Sequence, residues 1–242
     1  MAPARRAGGP ANGRNLKFAR RQLIDAIAEQ PALNYPAGQL LQVFNEPMDH
    51  LLVILSGLGK VRCFQRDGVE EVLQLLGPGD CMGLACLVAS EACWWDVVTL
   101  TDSQVVRLSC ESLQDLLQQV PELVMSCIAI QNDHLQALRQ RVIDRRLTGS
   151  QRLLRTLQEL AQKNSPWQEP TEEGLIAPML AQADLAAITG MARETVSRTL
   201  SRLQERGEIC KLTNGWKLAT SANGHGSGPN VSSLNRPAKP GR

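Results

Sequence analysis

A chain of 242 residues with 43% hydrophobic and 21% charged residues suits one large or two small domains and has an ordinary globular composition. A formal charge of +2 excludes a polycation, so nucleic-acid contact would need a local concentration of Arg and Lys. Aromatics at 3% are too few for a surface that stacks single-stranded bases, and no apolar run approaches the roughly 20 residues that span a bilayer.

Residues 1–15 are rich in Ala, Pro, Gly, Asn and Arg and read as a disordered basic arm. Arg5-Arg6 is not followed by an apolar segment, so a secretory signal is not expected and the chain reads as cytoplasmic. Seven cysteines in that setting do not suggest a disulfide scaffold, and the odd count leaves one unpaired. Leu16–Ile27 predicts a short helix with Leu23, Ile24 and Ile27 on one side. From about Leu33 to Leu108, short apolar runs alternate with turn signals at Pro36-Ala37-Gly38, Ser56-Gly57, Asp67-Gly68, Gly77-Pro78-Gly79-Asp80 and Thr101-Asp102. Asp67-Gly68 between Lys60–Gln65 and Glu70–Leu76 signals a two-residue hairpin. Strands this short and this regular predict an antiparallel barrel or double-sheet roll, placed at residues 16–120 with its flanking helices.

Ser112–Val120 reads as a helix, and Pro121 opens a long one running to about Arg146. Along it Val124, Ile128, Gln131, Leu135, Leu138 and Val142 recur at alternating steps of four and three, the 3.5-residue repeat of a coiled-coil seam. A helix packed on its own barrel needs a similar stripe. A seam this narrow on so long a helix favours a second copy of the chain, with Gln131 fixing the register.

A second, α-rich unit spans residues 147–219. Gln151–Gln162 is helical, Asn164–Gly174 is a polar loop, and Leu175–Met179 is a short strand or extended lead-in. Gln182–Ile188 predicts a short helix ended by Thr189-Gly190, and Gly190–Leu203 a second one. In the second, Val196, Leu200 and Leu203 fall in a narrow arc, while Glu194, Ser197, Arg198, Ser201 and Arg202 project from the other side. Helix, Gly turn, then helix with a polar face is the helix-turn-helix pattern, whose second helix enters the DNA major groove. The bland alternative makes Glu194 and Arg198 a surface ion pair only. Glu208–Lys211 and Gly215–Leu218, joined through Asn214-Gly215, predict a small hairpin or wing; residues 220–242 read as a disordered tail.

A β-roll, a long seam helix and a winged helix-turn-helix, in that order, resemble the CRP/FNR family of bacterial transcription regulators over about Leu16–Leu218. The most specific local match is Arg193-Glu194-Thr195-Val196-Ser197-Arg198, and Gly57, Gly59 and Gly79-Asp80 sit where the family has its turn glycines. The resemblance implies an α+β fold and a homodimeric regulator, not an enzyme, that binds a TGA-containing palindrome. Its partners would be double-stranded DNA, a second copy of the chain and RNA polymerase, without a membrane. Arg193, Glu194 and Arg198 match family members that read TGTGA-type half-sites. Glu194, Ser197 and Arg198 match members that read TTGAT-type half-sites, and the two are not distinguished. The base-reading set is therefore Arg193, Glu194, Ser197 and Arg198: Arg forks onto guanine O6 and N7, and Glu accepts from cytosine N4. Arg202, Arg206, Lys211 and Lys217 are assigned to phosphates, with a solvated face as the alternative. Ala181-Gln182 stands where the family often opens the motif with Thr-Arg, which leaves a helix cap and a phosphate contact in question.

Cyclic-nucleotide-binding members carry G-E-L-x-x-F followed by Arg-Ser or Arg-Thr; the Glu takes the ribose and the Arg the phosphate. Here the segments are Gly83-Leu84-Ala85-Cys86-Leu87-Val88 and Cys93-Trp94-Trp95. Both charged groups are missing, and a buried phosphate without a cation is costly, so cyclic AMP or GMP is not expected. The same stretch carries Cys81, Cys86 and Cys93, candidates for an iron–sulfur cluster, another metal or a redox role, with Cys63 or Cys110 as a fourth ligand. The alternative is small core residues, the reading given to Cys63, Cys110, Cys127 and Cys210. The cluster-binding cysteines of FNR lie in an N-terminal arm, and residues 1–30 here have none. For haem, the candidates are His50 and His134, neither in a recognisable motif. Trp94-Trp95 would line an apolar pocket or cap the roll. Two competing readings are a cupin-like β-roll metalloprotein, for which the histidines are few, and a thiol redox sensor without direct DNA contact.

Overall fold

The computed structural model describes residues 11–87, 92–164 and 176–219. Most of the predicted arm, residues 165–174 of the predicted loop and the predicted tail lie outside them. Helix α1 is Ala11–Ala26, so it opens five residues before the predicted start at Leu16 and shortens the arm. Asn12 and Gly13 are weak helix formers, but a helix already anchored by packing extends through them at little cost.

Eight strands follow: β1 (Ala32–Tyr35), β2 (Leu40–Gln42), β3 (His50–Ser56), β4 (Gly59–Phe64), β5 (Glu70–Leu76), β6 (Cys81–Met82), β7 (Asp96–Thr99) and β8 (Ser103–Ser109). They form two antiparallel sheets, β1-β8-β3-β6 and β2-β7-β4-β5, a double-sheet roll. Side chains alternate across β3, and both of its faces are covered. Leu52 and Ile54 meet Val61, Leu76 and Val97 between the sheets. Leu51 and Val53 meet Leu23 and Ile27 of α1 on the outside, together with Val106 and Leu108 of β8. A strand buried on both faces reads as a continuous apolar run, as Leu51–Leu55 does. The β4–β5 hairpin differs from the two-residue turn expected. Gln65 N donates to Val69 O at 2.9 Å, so the loop is Arg66-Asp67-Gly68, with Gly68 at φ +80°.

Helix α2 is Cys110–Gln119, two residues earlier than predicted, because Ser109 ends β8 and also caps the helix, its side chain accepting from Ser112 N at 3.1 Å. Helix α3 is Leu123–Asp144, inside the predicted limits Pro121 and Arg146. It has two working faces. Leu123, Cys127, Ile130 and His134 are buried, Ile130 against α1 and the outer face of β3. Val124, Ile128, Leu135, Leu138 and Val142 are exposed, at 37–68% of their free area. The stripe predicted as a seam and the stripe that packs internally are therefore different residues.

The C-terminal unit comprises α4 (Gly149–Asn164), β9 (Ile176–Pro178), α5 (Gln182–Thr189), α6 (Arg193–Glu205), β10 (Ile209–Lys211) and β11 (Gly215–Leu218). The extended lead-in pairs with the wing, giving a three-stranded sheet β10-β11-β9 in place of a bare hairpin.

This unit docks on the roll. Leu58, Val72, Leu75 and Leu100 of the roll share one apolar core with Leu153, Leu157, Leu185, Val196 and Trp216. Polar contacts flank it. Buried Lys60 of β4 pairs with Glu70 at 2.7 Å and with Asp184 of α5 at 2.8 Å. Fully buried Asp80 pairs with Arg20 of α1 and with Lys163 of α4, both at 2.6 Å, and approaches His134 of α3 at 3.4 Å. Burial alone would raise the Asp80 pKa, but Lys163, His134 and Arg20 together hold its carboxyl far below the usual carboxylate range. Gly77 has no Cβ for a packing reason: one placed there would lie 2.5 Å from the Lys163 carbonyl oxygen.

Candidate nucleic-acid interface

The α5–α6 pair is held by residues that cannot also face solvent. On α6, Val196, Leu200 and Leu203 are 0–5% exposed, all three on the face predicted to be apolar. Each buried side chain of this type contributes about 1.5–3 kcal/mol, enough to fix the helix's rotation. Gly190 ends α5 in the left-handed region, φ +64°, and turns the chain into α6. Thr189 Oγ1 donates back to Leu185 O at 2.6 Å and is spent inside the motif.

With that face buried, the opposite one is offered outward. Arg193, Glu194 and Arg198 are exposed and Ser197 half-buried, and with Gln182 they line one shallow depression. No ion pair joins Glu194 to Arg198 among the described residues, so the surface-pair alternative lacks its contact. Both helices of the motif open without a side-chain cap, at Ala181 and at Ala192. Their first amides remain free to meet anionic oxygens. Gln182 was not among the predicted reading residues. It sits at the first position of α5, and only the fold brings it beside Arg193 and Arg198.

Of the residues assigned to phosphates, Arg202 and Lys211 are exposed, Lys217 is half-buried on the central wing strand, and Arg206 lies 3.8 Å from Glu208. They occupy the far end of α6 and the wing, flanking the depression.

Family models match both halves of the chain: a cyclic nucleotide-binding domain over residues 32–120 and a Crp-like helix-turn-helix domain over residues 151–218. The chain belongs to the CRP/FNR family. It is 26% identical over 191 residues to a CRP-like cAMP-activated global transcriptional regulator of Mycobacterium tuberculosis, covering 77% of this chain and 83% of that protein. It is 24% identical over 182 residues to the transcriptional activator FnrL of Cereibacter sphaeroides, covering 73% and 71%. Among solved structures, the c-di-GMP-responsive global regulator CLP of Xanthomonas campestris superposes with a TM-score of 0.64 at 22% identity, covering 85% of this chain and 99% of that one. FixK2 of Bradyrhizobium japonicum gives 0.65 at 17% identity, covering 79% and 93%. The protein is thus a CRP/FNR-type transcription regulator with a helix-turn-helix DNA-binding domain, and none of its described helices is long and apolar enough to cross a membrane.

Where cyclic-nucleotide members place a Glu, this CRP/FNR chain has the 310 turn Leu84–Leu87. In place of the phosphate-binding Arg stand exposed Trp94 and Trp95, the latter packed on the inner core of the roll. The guanidinium groups on the roll strands are engaged: Arg62 with Asp96 at 3.1 Å, and Arg107 with Leu41 O at 3.2 Å and His50 Nδ1 at 3.3 Å.

The three candidate cysteines do not converge. Cys81 and Cys86 face α1 and α3 in the outer core, whereas Cys93 lies in the inner core between the sheets. Cys81 lies on β6, Cys86 in the turn Leu84–Leu87 and Cys93 ahead of β7, so three different segments carry them into two different cores. Among the described residues, no three or more of His, Cys, Asp and Glu are grouped to hold a metal ion, so neither a cluster nor zinc fits Cys81, Cys86 and Cys93, with or without Cys63 or Cys110. Burial pushes the thiols of Cys81, Cys93 and Cys127 upward, away from metal-ligand chemistry. His134 is buried and turned to Asp80 and Gln131, and His50 Nδ1 lies 2.6 Å from Asp49. The contact the sequence reading missed is between Cys110 and Cys86: the Cys110 thiol donates to the Cys86 carbonyl oxygen at 2.9 Å.

Proposed function

We propose that this regulator acts as a homodimer, presents two α6 helices to a palindrome with TGA-containing half-sites, and answers to a signal other than cyclic AMP. The observation that carries the reading is the outward face of α6. Arg193, Glu194, Ser197 and Arg198 share one depression while the opposite face is locked into the core. Unpaired Arg and Glu side chains at a helix N-terminus match guanine and cytosine edges. The exposed stripe Val124, Ile128, Gln131, Leu135, Leu138 and Val142 supports a second copy along α3, which would set the two reading helices about 34 Å apart. Arg202, Arg206, Lys211 and Lys217 then bind phosphates, and RNA polymerase is the partner at a promoter. A thiol-based signal fits the roll better than a nucleotide, since Leu84, Trp94 and Trp95 supply neither carboxylate nor cation.

Fluorescence anisotropy with the full chain tests this. A duplex carrying inverted TGA half-sites should bind at least about a thousandfold tighter than a scrambled duplex at physiological salt. Added cyclic AMP should leave the curve unchanged. Equal binding of the two duplexes overturns the reading of α6; tightening by cyclic AMP overturns the reading of the roll.

A further inference from the structure

The 310 turn Leu84–Leu87 and the first turn of α2 touch through sulfur. Cys110 Sγ donates to the Cys86 carbonyl oxygen at 2.9 Å, which brings the two cysteines side by side. Cys110 is half-exposed and Cys86 buried, so one sulfur faces solvent and the other waits behind it. Neither sits in regular strand pairing that would hold the segments apart; Cys110 opens α2 and Cys86 lies in a single turn.

We propose that Cys86 and Cys110 form a reversible intramolecular disulfide when the protein meets a peroxide. The Cys110 sulfur attacks one peroxide oxygen, the O–O bond breaks, and the leaving hydroxide departs as water, giving a sulfenic acid. The Cys86 sulfur then attacks that sulfur. The S–O bond breaks and a second water leaves, carrying the Cys86 proton. Two thiols are oxidised to a disulfide and one hydrogen peroxide is reduced to two waters. Burial, then the neighbouring Cys110, pushes the Cys86 thiol up to about 12, so the half-exposed Cys110 and not Cys86 is the first to meet peroxide.

The position gives the bond a consequence. Leu84 and Leu87 of the same turn, with Leu117 of α2, form one wall of an apolar groove whose other wall is Val124, Ile128 and Leu135. The disulfide pins that wall. Resting on the homodimer reading above, a groove fixed in advance costs a second copy less ordering entropy, so oxidation tightens the dimer.

The test uses the full chain carrying Cys210→Ser, which removes the exposed thiol, oxidised with hydrogen peroxide, blocked with N-ethylmaleimide and digested without reductant. The expected product is a peptide pair joining Cys86 to Cys110 that dithiothreitol separates. It should persist in Cys93→Ser and vanish in Cys110→Ser. Alkylated Cys86 and Cys110, or a different pairing, overturns the site without any variant having to fold. Sedimentation velocity then compares the oxidised and reduced protein. A dimer dissociation constant lowered by roughly threefold or more supports the groove coupling, and an unchanged or raised one overturns it. A protein that stays monomeric both reduced and oxidised sinks the homodimer reading and leaves the peptide map to decide the disulfide.

Discussion

Lys163 Nζ lies 2.6 Å from Asp80 Oδ2 across 83 residues of sequence, joining the end of α4 to the turn between β5 and β6, where Asp80 is fully buried. Arg20 takes the other carboxylate oxygen with Nε at 3.1 Å and Nη2 at 2.6 Å, and Gly77 N donates to Oδ2 at 2.8 Å. Removing the carboxylate would leave Arg20 and Lys163 sharing, among the described residues, only the half-buried Asp133, at 3.0 and 3.9 Å. Asp80→Asn should therefore destabilise the protein by about 3–5 kcal/mol in urea unfolding. A loss under about 1 kcal/mol would show that the group is expendable.

The same carboxylate sets an acid limit. Its folded pKa is depressed, so its contribution is complete above the unfolded value near 3.9 and is lost as pH falls toward the folded one. Wild-type stability should decline steadily below about pH 4, because the unfolded chain takes up a proton there that the native chain refuses. Asp80→Asn should show a shallower decline over the same range.

On α6, Arg198→Ala should cost about 1–3 kcal/mol on the preferred duplex and much less on a scrambled one, since a base contact carries discrimination. Arg202→Ala should weaken both duplexes alike and flatten the dependence on salt. Anisotropy titrations at two salt concentrations separate these behaviours, and identical profiles would remove the distinction between reading and phosphate residues.

Along α3, Leu135 is 45% exposed in the single chain. Leu135→Asp should leave the fold intact and raise the dimer dissociation constant by the equivalent of about 2 kcal/mol or more. Light scattering coupled to size exclusion reads the change. Ile130→Asp, on the buried face of the same helix, should fail to fold instead.

Thiol reactivity follows burial. Cys210 is exposed and should react with a chromogenic disulfide reagent first, whereas Cys81 is fully enclosed, its thiol pushed well upward, and should react only on unfolding. Fast modification of Cys81 in the native protein would contradict the enclosure.

The sequence reached the fold where local patterns carried the information. Val196, Leu200 and Leu203 lie on one arc and are buried together, and Gly190 takes the left-handed turn that the helix-turn-helix pattern asks for. What stayed hidden depends on distant residues meeting. Periodicity along α3 revealed the exposed stripe but not that Leu123, Cys127, Ile130 and His134 make a second, internal one. Spacing grouped Cys81, Cys86 and Cys93, while the fold puts Cys93 in the core between the sheets and sets Cys86 against Cys110 of α2 instead. Gln182 joins the reading face only through the packing of α5 on α6, and nothing in Gly77 announced the carbonyl of Lys163.

Asp80 also constrains what can be recombined. Its side-chain partners come from an N-terminal helix, the long central helix and the DNA-binding domain, so the roll is not an interchangeable module. A chimera that grafts this roll onto another regulator's helix-turn-helix must supply a cation at the place of Lys163, with its carbonyl seated against the roll's Gly77. A swap that ignores the two positions would produce a protein whose halves fold separately and exchange no signal.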